Sequence, residues 1–263
     1  MKSFWKIIVL GCLSMTACAG TPKERTMDVE PVTQTQTIED VSVPANAGMP
    51  KHLTYKMSNN ERPERLLFVV PWYGDNPESH ANYFVNTLFG AGSFVLQIAS
   101  SSQKIPDMRN AYCWTDAAKA FSEIQDAWEQ SGRFAISADK TIAFGSSQGA
   151  DPLLELALNG KLEARGFILA VPFITDTPEP FWPHNTAFFL DLVKSSTLSK
   201  DTRFVFVSGP KDDYLEGARK VATALETAGF RVLFLEAVGG HTELLPKAAN
   251  SLFLQALEFI DRP

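Results

Sequence analysis

Cysteine and histidine are scarce in this chain, with three of the first and four of the second in 263 residues, and neither C-x-x-C nor H-x-x-x-H spacing occurs. A disulfide scaffold and an ordinary zinc site therefore both lack material, and the sequence assigns the protein no metal and no cofactor. Basic charge is short as well: 24 Lys and Arg stand against 30 Asp and Glu, and no basic stripe offers phosphates a landing surface. That balance excludes nucleic acid as the expected partner. The apolar run Ile7 to Leu13 is well short of the roughly 20 residues a membrane-spanning helix needs. No internal repeat and no second domain is visible, so one core of catalytic size is the expectation.

What is present begins with an address. Lys2 and Lys6 precede the apolar run, and small residues follow from Thr16 to Gly20, the layout of a secretory signal. The stretch Met15-Thr16-Ala17-Cys18 resembles the bacterial lipobox, in which the Cys becomes the lipidated first residue of the mature protein. Ala19 then stands where an Asp would signal inner-membrane retention, so the resemblance implies the outer membrane of the cell envelope. Loss of Lys2 and Lys6 with the signal leaves a body more acidic than the net −6 of the whole chain. From Ala19 to about Pro50 the sequence is poor in aromatics and rich in Thr, Pro, Glu and Gln, too polar to bury a core. The expected division is a signal over 1–17, a flexible tether over 18–50 and a folded domain over 51–263. Cys113 reads as a buried, inert thiol.

The folded part alternates strand and helix signals. After a candidate edge strand from His52 to Met57, the run Leu66 to Val70 is continuously apolar, as in a strand buried on both faces. Similar runs occupy Phe94–Ile98, Thr141–Phe144, Phe167–Val171, Phe204–Val207 and Val232–Leu235, each separated by enough chain for a crossover helix. Trp114, Ala117, Phe121, Ile124 and Trp128 fall at helical spacing and read as core packing. Further helices are expected around Leu153 to Leu158, Phe188 to Val193, Ala218 to Ala228 and Leu252 to Ile260. The class is α/β, a doubly wound, mostly parallel sheet with helices on both faces.

Chemistry concentrates at three strand ends. Gly145-Ser146-Ser147-Gln148-Gly149 is a G-x-S-x-G between the strand Thr141–Phe144 and the helical stretch from Ala150. In a sharp turn there, side chains two residues either side of the serine would collide, and the following helix directs N–H groups toward a developing oxyanion. Ser147 is the candidate nucleophile. A serine hydroxyl needs a base, and the base needs an orienting carboxylate. Asp212 and Asp213 follow the strand Phe204–Val207, and His241 follows paired glycines after the next strand. His52 and His184 have no such setting, and His80 lies next to the loop after Val70.

The order Ser147, Asp212, His241, each just past a strand, resembles the α/β-hydrolase fold from about His52 to the C-terminus. The resemblance implies that Ser147 is nucleophile, Asp212 triad acid and His241 base; Asp212 is preferred to Asp213 because it stands third after Gly209, as in the family's G-x-x-D loop. It also implies an oxyanion hole from the N–H of Gln148 and a second N–H from Trp72 or Tyr73, although the His-Gly frequent at that turn is missing here. About thirty residues separate Pro172 from Arg203, too few for a large lid. Phe173, Phe181 and Trp182, with Trp72, Tyr73 and Trp114, are candidates for lining an apolar acyl pocket. The expected activity is that of a serine hydrolase acting on carboxylic esters of a small-molecule acyl substrate. Thioester or peptide cleavage by the same triad, and a non-catalytic binding module, are the alternatives.

Overall fold

The computed structural model describes residues 37–58, 63–106, 108, 110–177 and 184–263. The eight strands are β1 (Thr37–Asp40), β2 (Leu53–Ser58), β3 (Arg65–Val70), β4 (Phe94–Ile98), β5 (Thr141–Ser146), β6 (Gly166–Ala170), β7 (Arg203–Ser208) and β8 (Arg231–Glu236). They form one sheet in the order β1-β2-β4-β3-β5-β6-β7-β8. β1 pairs antiparallel with β2 and β2 with β4, and every pairing from β4 to β8 is parallel. Between and after them run α1 (Pro77–Ala91), α2 (Ala117–Ser131), α3 (Ala150–Leu158), α4 (Thr186–Ser195), α5 (Leu215–Thr227), α6 (His241–Ala248) and α7 (Ser251–Asp261).

Alternation along the buried strands divides the core into two layers. Phe68, Phe167, Leu169, Phe204 and Phe206 face the cluster that takes in α2 to α5, whereas Leu67, Val69, Phe144, Ile168 and Val205 face the cluster holding residues of α1 and α7. On the second face Phe144 meets Phe84 of α1 edge-on at 4.9 Å and Phe253 of α7 at 6.5 Å. Each such fully buried phenylalanine contributes roughly 1.5–3 kcal/mol from its burial. Below the sheet, at the N-terminal ends of the strands, arginines tie down the last turn of α7. Arg165 Nε donates to Ile260 O at 2.8 Å, Arg203 Nη1 to Phe259 O at 3.0 Å, and Arg65 holds Asp261 through two bonds of 2.8 Å. The bonds from Arg165 and Arg203 satisfy carbonyls that a helix end leaves without partners.

Four expectations need correction. The folded body includes residues assigned to the tether: Thr37–Asp40, not the expected His52–Met57 segment, is the edge strand of the sheet, Arg133 donates to Val41 O at 2.9 Å, and Asn46 Nδ2 donates to Asp126 at 2.5 Å. A short strand of polar composition reads as linker because its stability comes from pairing with β2 rather than from its own apolar surface. β8 was expected to be buried on both faces, yet it lies at the sheet edge and is only half-buried. Trp114 precedes α2 rather than belonging to it, because Asp116 accepts the Lys119 N–H at 3.1 Å as N-cap and starts the helix after itself. The signal and Cys18 lie outside the described residues, as do Phe181 and Trp182.

Candidate active site

Ser147 sits where β5 ends, with φ at +48°, a left-handed conformation that a non-glycine residue adopts only when its surroundings impose it. The two glycines of the motif are what permit that turn. A Cβ on Gly145 would come within 2.7 Å of the Ala150 Cα, and one on Gly149 within 2.3 Å of the Pro71 carbonyl oxygen. The chain therefore turns sharply from β5 through Ser147 into α3, with the loop after β3 pressed against its base.

His241 is the first residue of α6, and its Nε2 lies 2.7 Å from Ser147 Oγ. On the other side of the ring, Nδ1 lies 3.1 Å from Asp212 Oδ1. With a carboxylate facing Nδ1, the proton belongs on that nitrogen, which leaves Nε2 free to accept the serine hydroxyl. Asp212 is itself held: Ser208 Oγ donates to its Oδ2 at 2.8 Å and the Tyr214 N–H to its Oδ1 at 3.2 Å. Burial pushes the Asp212 carboxyl up, but these bonds and the one from His241 outweigh it and hold the group below its ordinary value. Asp212 thus stays a carboxylate while buried. Asp213, the alternative acid, is exposed, whereas Asp212 is buried against His241.

The remaining candidates surround this line. Ser147 and Gln148 are both buried at the turn that leads into α3. Trp72 packs with Val171, Leu244 and Leu245, and its ring lies 4.3 Å from that of His80. Among the described residues, neither the Trp72 nor the Tyr73 N–H donates to a backbone carbonyl. Phe173 packs against Tyr214 at 4.2 Å, and Tyr214 meets the His241 ring edge-on at 5.2 Å. Trp114 is buried, and with Pro71, Trp72 and Tyr112 it lines a small cavity beside the loop after β3. No residue pattern singles out Ser208 or Tyr214, although Ser208 closes the same strand whose loop carries Asp212.

The other histidines are each occupied elsewhere. His52 Nε2 meets Asp126 at 3.0 Å, His80 Nδ1 meets Asp75 at 2.7 Å, and His184 lies 2.7 Å from Glu155. Burial holds all three imidazoles below their ordinary value. Glu155 is pushed up to about 7 by burial, and Asp151 is pushed well up by burial despite the Phe173 N–H that it accepts.

No family model and no curated protein matches the sequence. Solved structures do match the fold. An arylesterase superposes with a TM-score of 0.60 at 15% identity, covering 85% of this chain and 83% of its own. A ferulic acid esterase gives 0.64 at 12% identity, with 86% and 97% covered, and esterase B from Lactobacillus rhamnosis gives 0.60 at 12%, with 85% of each. The chain has the α/β-hydrolase fold. In this α/β-hydrolase fold, Ser147, Asp212 and His241 occupy the carboxyl ends of strands, where doubly wound sheets place their ligands. Between β6 and β7 the described residues contain one helix, α4.

Proposed function

We propose that the protein is a serine hydrolase that cleaves carboxylic esters through an acyl-enzyme on Ser147. The observation that carries this reading is the continuous line Ser147 Oγ, His241 Nε2, His241 Nδ1, Asp212 Oδ1, with gaps of 2.7 and 3.1 Å, mounted on a strained strand-to-helix turn. In the first half-reaction His241 takes the Ser147 proton as Oγ bonds to the ester carbonyl carbon. The resulting oxyanion receives the N–H of Gln148 and that of Trp72 or Tyr73. Collapse breaks the bond to the alcohol oxygen, which leaves with the proton from His241. Water then enters, gives a proton to His241 and attacks the acyl carbon, and Ser147 departs with that proton as the free acid is released.

An apolar substrate suits the rim. Of the four large apolar side chains exposed among the described residues, Tyr73 lies in the loop after β3, Met108 borders Gly74 of that loop, and Val238 precedes His241 by three residues. Exposed apolar groups on loops that also carry the proposed site residues favour an apolar substrate. A fluorophosphonate probe tests the reading directly: it should label the wild-type protein and fail on Ser147→Ala. No adduct on the folded wild type, or an adduct that persists in the variant, overturns it.

We further propose that Cys18 carries a lipid and holds the domain at the envelope membrane. The residues between Cys18 and Thr37 reach at most about 60 Å when extended. Cys18→Ser should move the protein from the membrane to the soluble fraction with its ester hydrolysis intact. Retention of the variant in the membrane fraction would show another attachment.

A further inference from the structure

Segment 112–114 runs between the two loops that supply the proposed oxyanion donors, and it bonds to both. From the loop after β3, Gly74 N donates to Tyr112 O at 2.9 Å, and Tyr112 N donates to Asp75 O at 3.2 Å. Trp114 adds two bonds in different directions. Its indole Nε1 donates to Pro71 O at 2.8 Å, and its backbone N donates to the side-chain Oε1 of Gln148 at 2.8 Å. One buried residue therefore grips the residue before Trp72 and Tyr73 with its side chain and the residue after the nucleophile with its backbone.

The grip has its own foundation. Cys113 between them donates its N–H to Gln103 O at 3.0 Å, and its carbonyl accepts Ser101 Oγ at 2.7 Å, so the segment is fixed to the loop that leaves β4. Trp114 is 2% exposed, which removes competing water from both of its bonds. On the far side, the Pro71 carbonyl lies so close to Gly149 that no Cβ fits between them. Pro71 is thus pressed between Trp114 and the turn that carries Ser147.

We propose that Trp114 is a positioning residue for the oxyanion hole, setting the distance between the Gln148 N–H and the donor at Trp72 or Tyr73. The proposal rests on the serine-hydrolase reading above. It assigns to the indole N–H a function separate from the packing of the ring: donors preorganised around a developing charge lose their advantage when displaced by a fraction of an ångström. Gln148 shares the function through its side chain, whose carbonyl oxygen accepts the Trp114 N–H and so fixes the residue whose own N–H is assigned to the oxyanion.

The test is Trp114→Phe, which keeps a large buried ring and removes the N–H, leaving Pro71 O without that donor. On a short-chain chromogenic ester, kcat should fall about tenfold or more with KM within about twofold. Affinity for a boronic acid that mimics the tetrahedral state should fall in parallel, and the pH profile of kcat/KM should keep its midpoint because His241 and Asp212 are untouched. Gln148→Leu, which removes the other bond while retaining the backbone N–H, should give the same pattern and guards against a folding failure of the first variant. Rates are referred to the titrated concentration of reactive serine, so a loss of folded protein is not mistaken for a loss of rate. Unchanged kcat and boronate affinity in both variants would overturn the positioning function while leaving the hydrolase reading intact. A wild type that never reacts with the fluorophosphonate would remove the hydrolase reading itself, and the proposal with it.

Discussion

His241 and His52 each face an aspartate across about three ångströms, and only one of them is placed to do chemistry. The distances are 3.1 Å to Asp212 and 3.0 Å to Asp126. The difference lies at the second ring nitrogen and in access. His241 turns Nε2 to a serine hydroxyl and keeps 23% of its side chain exposed. His52 is fully buried, and its Nδ1 accepts the Ser100 N–H at 2.9 Å, so both nitrogens are consumed by the fold. With His80 on Asp75 and His184 beside Glu155, all four histidines lie next to a carboxylate. A histidine–carboxylate pair therefore does not by itself mark the proposed site in this protein; the hydroxyl and the opening distinguish it.

Two substitutions sharpen that comparison, and the larger effect is on rate. Asp212→Asn should lower kcat by about 10³- to 10⁴-fold, because an amide at this position no longer fixes the His241 tautomer or stabilises the imidazolium. Asp126→Asn should leave kcat per folded molecule unchanged. It weakens a cluster in which Asn46, His52 and Gln130 all donate to one carboxylate, and should cost about 1–3 kcal/mol of stability in a denaturant titration. If Asp126→Asn lowered kcat and Asp212→Asn did not, the assignment of the two pairs would be reversed.

The same contrast explains what could be read from the residues. β3 to β7 announced themselves because strands buried on both faces are continuously apolar, and Ser147 and His241 stood out because glycines flank them at strand ends. The pairings of His52, His80 and His184 were invisible, since each joins residues whose proximity arises only from packing; His52 and Asp126 are 74 positions apart. β1 was hidden by its polar composition. α6 is an eight-residue helix that holds Pro246 near its end, where the residue interrupts no long run of bonds. Trp114 shows a subtler limit. Its helical spacing pointed correctly to burial, but the direction of its two N–H groups depends on two loops that periodicity does not describe.

The smallest predicted effect concerns pH and separates the two histidines by their folding roles. Burial holds His52 below its ordinary value, so its folded state refuses a proton that the unfolded chain, titrating near 6.5, accepts. The stability this neutral imidazole contributes is complete above about pH 6.5 and is lost as pH falls below it, with a slope of at most about 1.4 kcal/mol per pH unit. Glu155 works the other way: raised to about 7, it favours the folded state at low pH and withdraws that contribution as pH climbs through about 7. The two opposing slopes flatten the wild-type profile, so a single curve is uninformative and a difference is needed. His52→Gln supplies it, since glutamine does not titrate and can still accept one bond and donate another. The stability of wild type relative to His52→Gln, from denaturant titrations at pH 7.5 and pH 5, should decline by about 1 kcal/mol toward the acid side. A difference that stays level, or grows as pH falls, would mean that the folded protein accepts a proton at His52 and that its pairing with Asp126 is an ion pair of the kind proposed for His241 and Asp212.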